Sequence, residues 1–202
     1  MNELIIKAHS HYYSSRRVKV LARHIGSLLP DHAGVLDIGC GDGLIDKLIM
    51  EQKPGVNITG CDVVPRTSNF IDVIQYNGTT LPFANKEFDY SLLIDVVHHA
   101  EDPPALLKEA ARVARSGIII KDHLADRFLA IPILRFMDWI GNERFKVALP
   151  YTYWKRRQWQ EQFRELGLKL ENIDERIPLY PPWAYWLFGY RLHFIALLLQ
   201  NW

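Results

Sequence analysis

Val35-Leu36-Asp37-Ile38-Gly39-Cys40-Gly41-Asp42-Gly43 begins as a short apolar run and breaks into three glycines spaced by single residues. Leu44-Ile45-Asp46-Lys47-Leu48-Ile49-Met50 follows with helical spacing. A buried strand, a glycine loop and a helix in that order predict the nucleotide-side half of a doubly wound α/β fold. The glycines let the backbone take positive φ and approach a ligand that a Cβ would push away.

The neighbouring residues bear on which ligand. A dinucleotide fingerprint wants glycine at the first, third and sixth positions, but the sixth is Leu44 and the third glycine comes early, at Gly43. Asp37 lies two residues before the first glycine, where a carboxylate suits a cationic head such as an amino-acid ammonium better than a pyrophosphate. A second apolar run, Val56 to Cys61, ends at Asp62, where an acid can accept both hydroxyls of a ribose.

Loop, strand acid and second acid together resemble the class I S-adenosylmethionine-dependent methyltransferases, above all the small-molecule, type 11-like enzymes. The resemblance covers residues 15 to 125 well and the remainder loosely. It implies a Rossmann-like, seven-stranded, mostly parallel sheet of order 3-2-1-4-5-7-6, with helices on both faces and a reversed C-terminal hairpin. It implies S-adenosyl-L-methionine as cofactor, with Asp37 and the loop (Gly39, Cys40, Gly41) on the methionine part and Asp62 with Val63 at the ribose. The family commonly has an aspartate before a Leu-Pro-Phe segment, receiving the adenine amino group. Asn77, with Gly78, occupies that position before Leu81-Pro82-Phe83, and an amide oxygen can still accept that bond. An Asn-Gly turn is the alternative reading, and both can hold. Asp95 and Val96 complete the expected cofactor set, with Tyr13 as the candidate to fold over the methionine carboxylate.

Composition bounds the rest. At 202 residues the chain fits one domain (1–202), and with 49% hydrophobic residues it is globular. A formal charge of +1, with both signs interspersed, gives no field for a polyanion, so a nucleic acid substrate is not expected. Two cysteines, Cys40 and Cys61, and no secretion signal fit a reduced, cytoplasmic setting. No stretch reaches the roughly 18 apolar residues of a membrane span.

Helical spacing of Val18, Leu21, Ile25 and Leu28 predicts an opening helix over 9–29. Phe88 to Val97 reads as a central strand buried on both faces, with Asp95 at its C-terminal end. Asp102 caps a helix begun by Pro103-Pro104 and stopped at Ser116-Gly117, and Ile118-Ile119-Ile120 is the next buried strand. Residues 124–150, apolar all round a helix interrupted by Pro132, read as an insertion covering the substrate side. Leu168 to Ile177 alternates as a half-exposed strand, and His193 to Leu199 is a short apolar one. Between them Pro178 to Tyr190 is rich in Pro, Trp and Tyr, which either packs as a connection, caps the substrate pocket or touches a membrane surface.

Methyl transfer needs alignment of donor and acceptor and in some cases a proton acceptor. His98 and His99 follow one strand, and Asp122 and His123 the next, so both groups belong to one rim. His98 and His123, with Asp122, are the catalytic candidates. A bound divalent metal is not expected, because the carboxylates of metal-dependent relatives are not found at fixed rim positions. The sequence reading is therefore a methyltransferase acting on O, N or C of a small, partly apolar metabolite. A cofactor-binding scaffold without turnover is the alternative, and a nicotinamide oxidoreductase is argued against by Leu44 and Asp37. Oligomeric state is not legible.

Overall fold

The computed structural model describes residues 3–64, 66, 68–142 and 150–200, with the side chains of 3–15 and 140–142 outside that description. Chain order is α1 (Glu3–Leu28), β1 (Gly34–Ile38), α2 (Leu44–Gln52), β2 (Asn57–Asp62), β3 (Val73–Gln75), β4 (Phe88–Ile94), a 3₁₀ turn (Val97–His99), α3 (Pro103–Val113) and β5 (Ala114–His123). Then come α4 (Ala130–Asn142), α5 (Arg156–Glu165), β6 (Leu168–Asp174), α6 (Pro182–Phe188) and β7 (His193–Gln200). The strands form one seven-stranded sheet ordered β3-β2-β1-β4-β5-β7-β6. β7 runs antiparallel to both β5 and β6, and the other pairings are parallel. This is the order and the reversed hairpin that the sequence implied.

Strand side chains alternate between the faces. Leu36, Ile38, Ile118 and Ile120 pack with Leu107 of α3 and Trp159 and Phe163 of α5. Val35, Ile58, Leu92 and Ile119 pack with Leu21 and Ile25 of α1 and Ile49 of α2. The parity that turns Val35 toward α1 and α2 carries Asp37 to the same side, and Lys121 goes with Ile119. Asp122 and the 3₁₀ turn fall on the other.

Several boundaries differ from the sequence reading: α1 begins at Glu3, ahead of the expected residue 9, and β6 ends at Asp174, short of the expected Ile177. β4 stops at Ile94, because Asp95 takes a left-handed turn (φ 56) that carries its carboxylate to Arg17 and Lys121. Ser116-Gly117 does not stop α3: β5 starts at Ala114, and Gly117 pairs with Leu199 inside the sheet. A Cβ there would lie 2.3 Å from the Leu198 carbonyl oxygen, so close backbone approach explains this glycine.

α4 is not buried all round. Ala130 and Leu134 pack with Leu192 of the β7 approach, while Phe128, Ile131, Phe136 and Trp139 face outward. Residues 143–149 of the expected insertion lie outside the described residues.

Candidate active site

The cofactor side is built on the loop after β1. Gly39, Gly41 and Gly43 have φ of 77°, 62° and 73°. A Cβ on Gly39 would collide with Val96 at 2.5 Å, whereas one on Gly41 would meet nothing within 4 Å. Val96 therefore closes one wall of the loop and Gly41 faces open space. Asp62, at the end of β2, accepts bonds from Gly41 N (2.8 Å) and Val64 N (2.9 Å), so it braces the loop as well as offering its remaining lone pairs. Val63 packs beside Gly78, within 3.3 Å of where a Cβ would stand.

Asp37 is buried and its Oδ1 has no hydrogen-bond partner. Burial, then the Asp46 carboxyl on α2, pushes its carboxyl well above the usual range; burial raises Asp46 itself to about 6. A buried acid with an orphaned oxygen fits the ammonium of an amino-acid moiety, which would relieve both costs. The methionine end of S-adenosylmethionine carries that group, so the residues present fit the cofactor. Asp46 was not singled out in the sequence; its signal was an acid on the first turn of α2, facing the strand.

Asn77 Oδ1 accepts from Thr79 N, Thr79 Oγ1 and Thr80 N at 2.9–3.0 Å, so the oxygen expected to take the adenine amino group is engaged within its own turn. The Asp95 carboxylate is held by Arg17 and Lys121, which keep it well below the ordinary range against the cost of its burial. Cys40 and Cys61 are free thiols beside the loop; burial raises both, Cys61 to about 12. Tyr13 lies in α1, and its side chain falls outside the described residues.

The rim brings the three catalytic candidates together. Asp122 Oδ1 lies 2.7 Å from His98 Nδ1, and Asp122 also accepts from Val97 N (3.1 Å) and His123 N (2.7 Å). The His98 and His123 rings sit 4.5 Å apart. His98 is 2% exposed; its Nε2 makes no hydrogen bond and lies 3.4 Å from Asp138 Oδ2. Burial works against a charged His98, but Asp122, then Asp138 and Asp95, outweigh it and raise its pKa above the ordinary histidine value. Burial and the positive neighbours His98 and Lys121 hold His123 well below that value, and burial with His98 puts His99 near 4. Of the rim histidines, His98 is thus the one tuned upward, with a ring nitrogen fixed by a carboxylate.

Three further groups join the rim. Asp138, buried on α4, receives the Tyr153 hydroxyl, and burial raises its carboxyl. His193 of β7 stands 3.0 Å from His123, ring nitrogen to ring nitrogen, and burial with Lys121 lowers it to about 3. A lone acid in the apolar run Phe136-Met137-Asp138-Trp139 was a readable signal, since such an acid needs a buried partner. Among the described residues two groups, Asp95-His98-Asp122-His123 and His98-His99-Asp138, bring donor atoms within 4.8 Å of one another. Most donors of the first group already hold internal partners.

Residues 36–120 match the methyltransferase domain family. The chain is 34% identical to the uncharacterized protein MJ1123 of Methanocaldococcus jannaschii over 170 residues, covering 83% of this chain and 74% of that one. It is 30% identical to the O-methyltransferase resE of Aspergillus sclerotiorum, covering 77% of this chain and 63% of that one. It is 31% identical to a Schizosaccharomyces pombe tRNA (carboxymethyluridine(34)-5-O)-methyltransferase, covering 52% and 46%. The fold superposes, with a TM-score of 0.65 and 17% identity, on a chain of the Haloferax volcanii complex between the Trm112 methyltransferase activator and a methyltransferase, covering 100% of this chain and 99% of that one. The chain belongs to the class I S-adenosylmethionine-dependent methyltransferases, and S-adenosyl-L-methionine is its cofactor.

Proposed function

We propose that this methyltransferase acts on an oxygen, nitrogen or carbon of a small, partly apolar metabolite, with the acceptor seated at the His98–Asp122–Asp138 rim. The carrying observation is that the buried, Asp122-held His98 stands two residues from Val96, which forms the wall of the glycine loop. The cofactor supplies an electrophilic methyl group on a sulfonium. The chain then has to align the acceptor and take its proton where one is released.

Asp37 holds the ammonium and the loop backbone approaches the methionine part. Asp62 offers ribose acceptors while bracing Gly41 and Val64. With Nδ1 directed at Asp122, His98 presents Nε2 as the proton acceptor, and Asp138 stabilises the imidazolium that forms. Lys121 and Arg17 hold Asp95, which fixes the turn between β4 and the 3₁₀ segment. The Leu/Ile/Met packing under α4 supplies the apolar wall, as residues 124–150 would in covering the substrate side. Free Cys40 and Cys61 fit a reduced, cytoplasmic setting. An oxygen acceptor is in keeping with resE, named an O-methyltransferase.

The test is His98→Gln. Turnover of an acceptor found by screening falls about 10²–10⁴-fold, while calorimetric affinity for S-adenosylhomocysteine stays within twofold. Unchanged turnover would remove His98 from the chemistry, and an absence of S-adenosylhomocysteine binding by the parent protein would remove the whole reading.

A further inference from the structure

α6 faces the wrong way for a connection that merely packs. Trp183, Trp186 and Leu187 recur at i, i+3 and i+4 on α6, with Tyr190 two residues past its end, and all four are exposed, Trp183 at 73% and Trp186 at 70%. Ala184 is buried beneath them. α4 repeats the pattern: Ala130, Leu134 and Asp138 turn inward while Phe136 and Trp139 are half exposed, and Phe128 just ahead of the helix is 87% exposed. Arg127 joins the two helices, with its guanidinium 5.0 Å from the Trp186 ring and bonded to the Trp186 and Leu187 carbonyls. Of the fourteen large exposed hydrophobic residues among the described ones, six lie on these two helices and three more, Phe128, Leu129 and Tyr190, just beyond their ends, so they make one patch and not a scatter.

The surrounding charge says what covers it. Residues 124–142, 150–161 and 175–192 contain seven Lys/Arg and four Asp/Glu, one of which is the buried Asp138 and two of which, Glu175 and Glu161, pair with Arg156 and Arg157. That excess of three positive charges sits in a chain whose total is +1, so the remaining residues are net negative. Aromatic and aliphatic side chains pointing outward, flanked by arginines, match a bilayer interface with anionic headgroups. A nucleic acid partner would call for a basic stripe along the contact face, but here that face is apolar and the cations flank it. No described helix is long and apolar enough to cross a membrane, so the contact lies in the plane of the interface.

We infer that the outward faces of α4 and α6 seat this protein on an anionic lipid surface. The inner sides of the same helices reach the rim: Asp138 of α4 stands by His98, and the Phe188 carbonyl of α6 lies 2.9 Å from His193 Nε2. Seated this way, the enzyme presents its rim to an amphiphile whose polar head carries the acceptor atom and whose tail stays in the bilayer. This last step rests on the proposed reading of the rim as the acceptor side.

The experiment is co-sedimentation of the full chain with phosphatidylcholine vesicles, with and without phosphatidylglycerol, in the absence of any acceptor. Binding to the phosphatidylglycerol vesicles is expected, weakening with salt, with tryptophan emission quenched by brominated lipid. Phe128→Ala/Trp183→Ala should bind more than tenfold less tightly, with S-adenosylhomocysteine affinity unchanged as the check on folding. Arg135→Gln should weaken binding to the anionic vesicles about fivefold and leave neutral vesicles unaffected. Any of three results overturns the inference: no vesicle binding by the parent, equal binding by the double variant, or total tRNA held more tightly than vesicles through the same residues. A dimer in sedimentation velocity that the double variant dissociates would also overturn it, because a second copy would then cover the patch. Since the vesicle measurement involves no turnover, its failure leaves the methyl-transfer reading standing, and loss of cofactor binding sinks that reading alone.

Discussion

Asp37 and Asp46 are two acids that stability alone would not place together. Both are buried, Asp37 Oδ1 and both Asp46 oxygens lack hydrogen-bond partners, and burial raises both carboxyls. A carboxyl raised in the folded state binds its proton more tightly there than in the unfolded chain. It therefore costs no stability below the unfolded value of 3.8; the cost grows from there to about 6 and is complete above it. Asp46→Asn should accordingly stabilise the protein at pH 7.5, by about 1–3 kcal/mol in urea melts, with the gain vanishing near pH 4. The same pair predicts a proton released on binding: an ammonium beside Asp37 lowers its pKa, so S-adenosylhomocysteine titrated near neutral pH in buffers of different ionisation enthalpy should reveal net proton release. Absence of release would place the ammonium elsewhere. Asp37 was legible from its position two residues before Gly39, but its partner was not, because strand parity and the facing turn of α2 are needed to see the pair.

Elements were read well wherever periodicity was strong and less well at their ends. The strand order and the reversed hairpin came from the resemblance. The boundary errors came from tertiary demands with no local mark: a left-handed Asp95 drawn to two cations, and a glycine serving inter-strand approach where a turn glycine was expected. β3 was not located beforehand because three residues on a sheet edge carry too little pattern. The two kinds of glycine separate by experiment. Gly117→Ala puts a methyl 2.3 Å from the Leu198 carbonyl oxygen, between β5 and β7, and should lower stability by about 2–4 kcal/mol with cofactor affinity per folded molecule unchanged. Gly41→Ala meets no atom but keeps φ at 62°, which costs about 1–2 kcal/mol. Its methyl also stands in the open space of the loop, so S-adenosylhomocysteine affinity should fall more than tenfold. Thermal melts and calorimetry on both variants check the contrast; equal losses of affinity would mean that the loop does not approach the cofactor.

At the scale of the molecule, one network ties distant parts of the chain to a single rim: Arg17 from α1, Asp95 after β4, Lys121, Asp122 and His123 from β5, Asp138 from α4 and His193 from β7. The sequence disclosed its two strand-end clusters because they follow consecutive central strands, but not Asp138 or His193, which topology brings from 15 and 70 residues beyond His123. α4 is the piece with two faces, an acid turned to His98 and aromatics turned outward, and the two functions argued for it should come apart. Asp138→Asn removes the charge that helps hold a protonated His98 while keeping the shape and a partner for Tyr153. The raised His98 proton contributes stability below the ordinary histidine value near 6.5, lost as pH rises through the folded value. Asp138→Asn should therefore lower the His98 titration followed by NMR and cut turnover about tenfold or more, with vesicle binding and S-adenosylhomocysteine affinity unchanged. Phe128→Ala/Trp183→Ala should do the reverse, sparing the His98 titration and losing the vesicles. If Asp138→Asn also released the protein from vesicles, α4 would be moving as a whole, and its outward face could not be assigned a role separate from the rim.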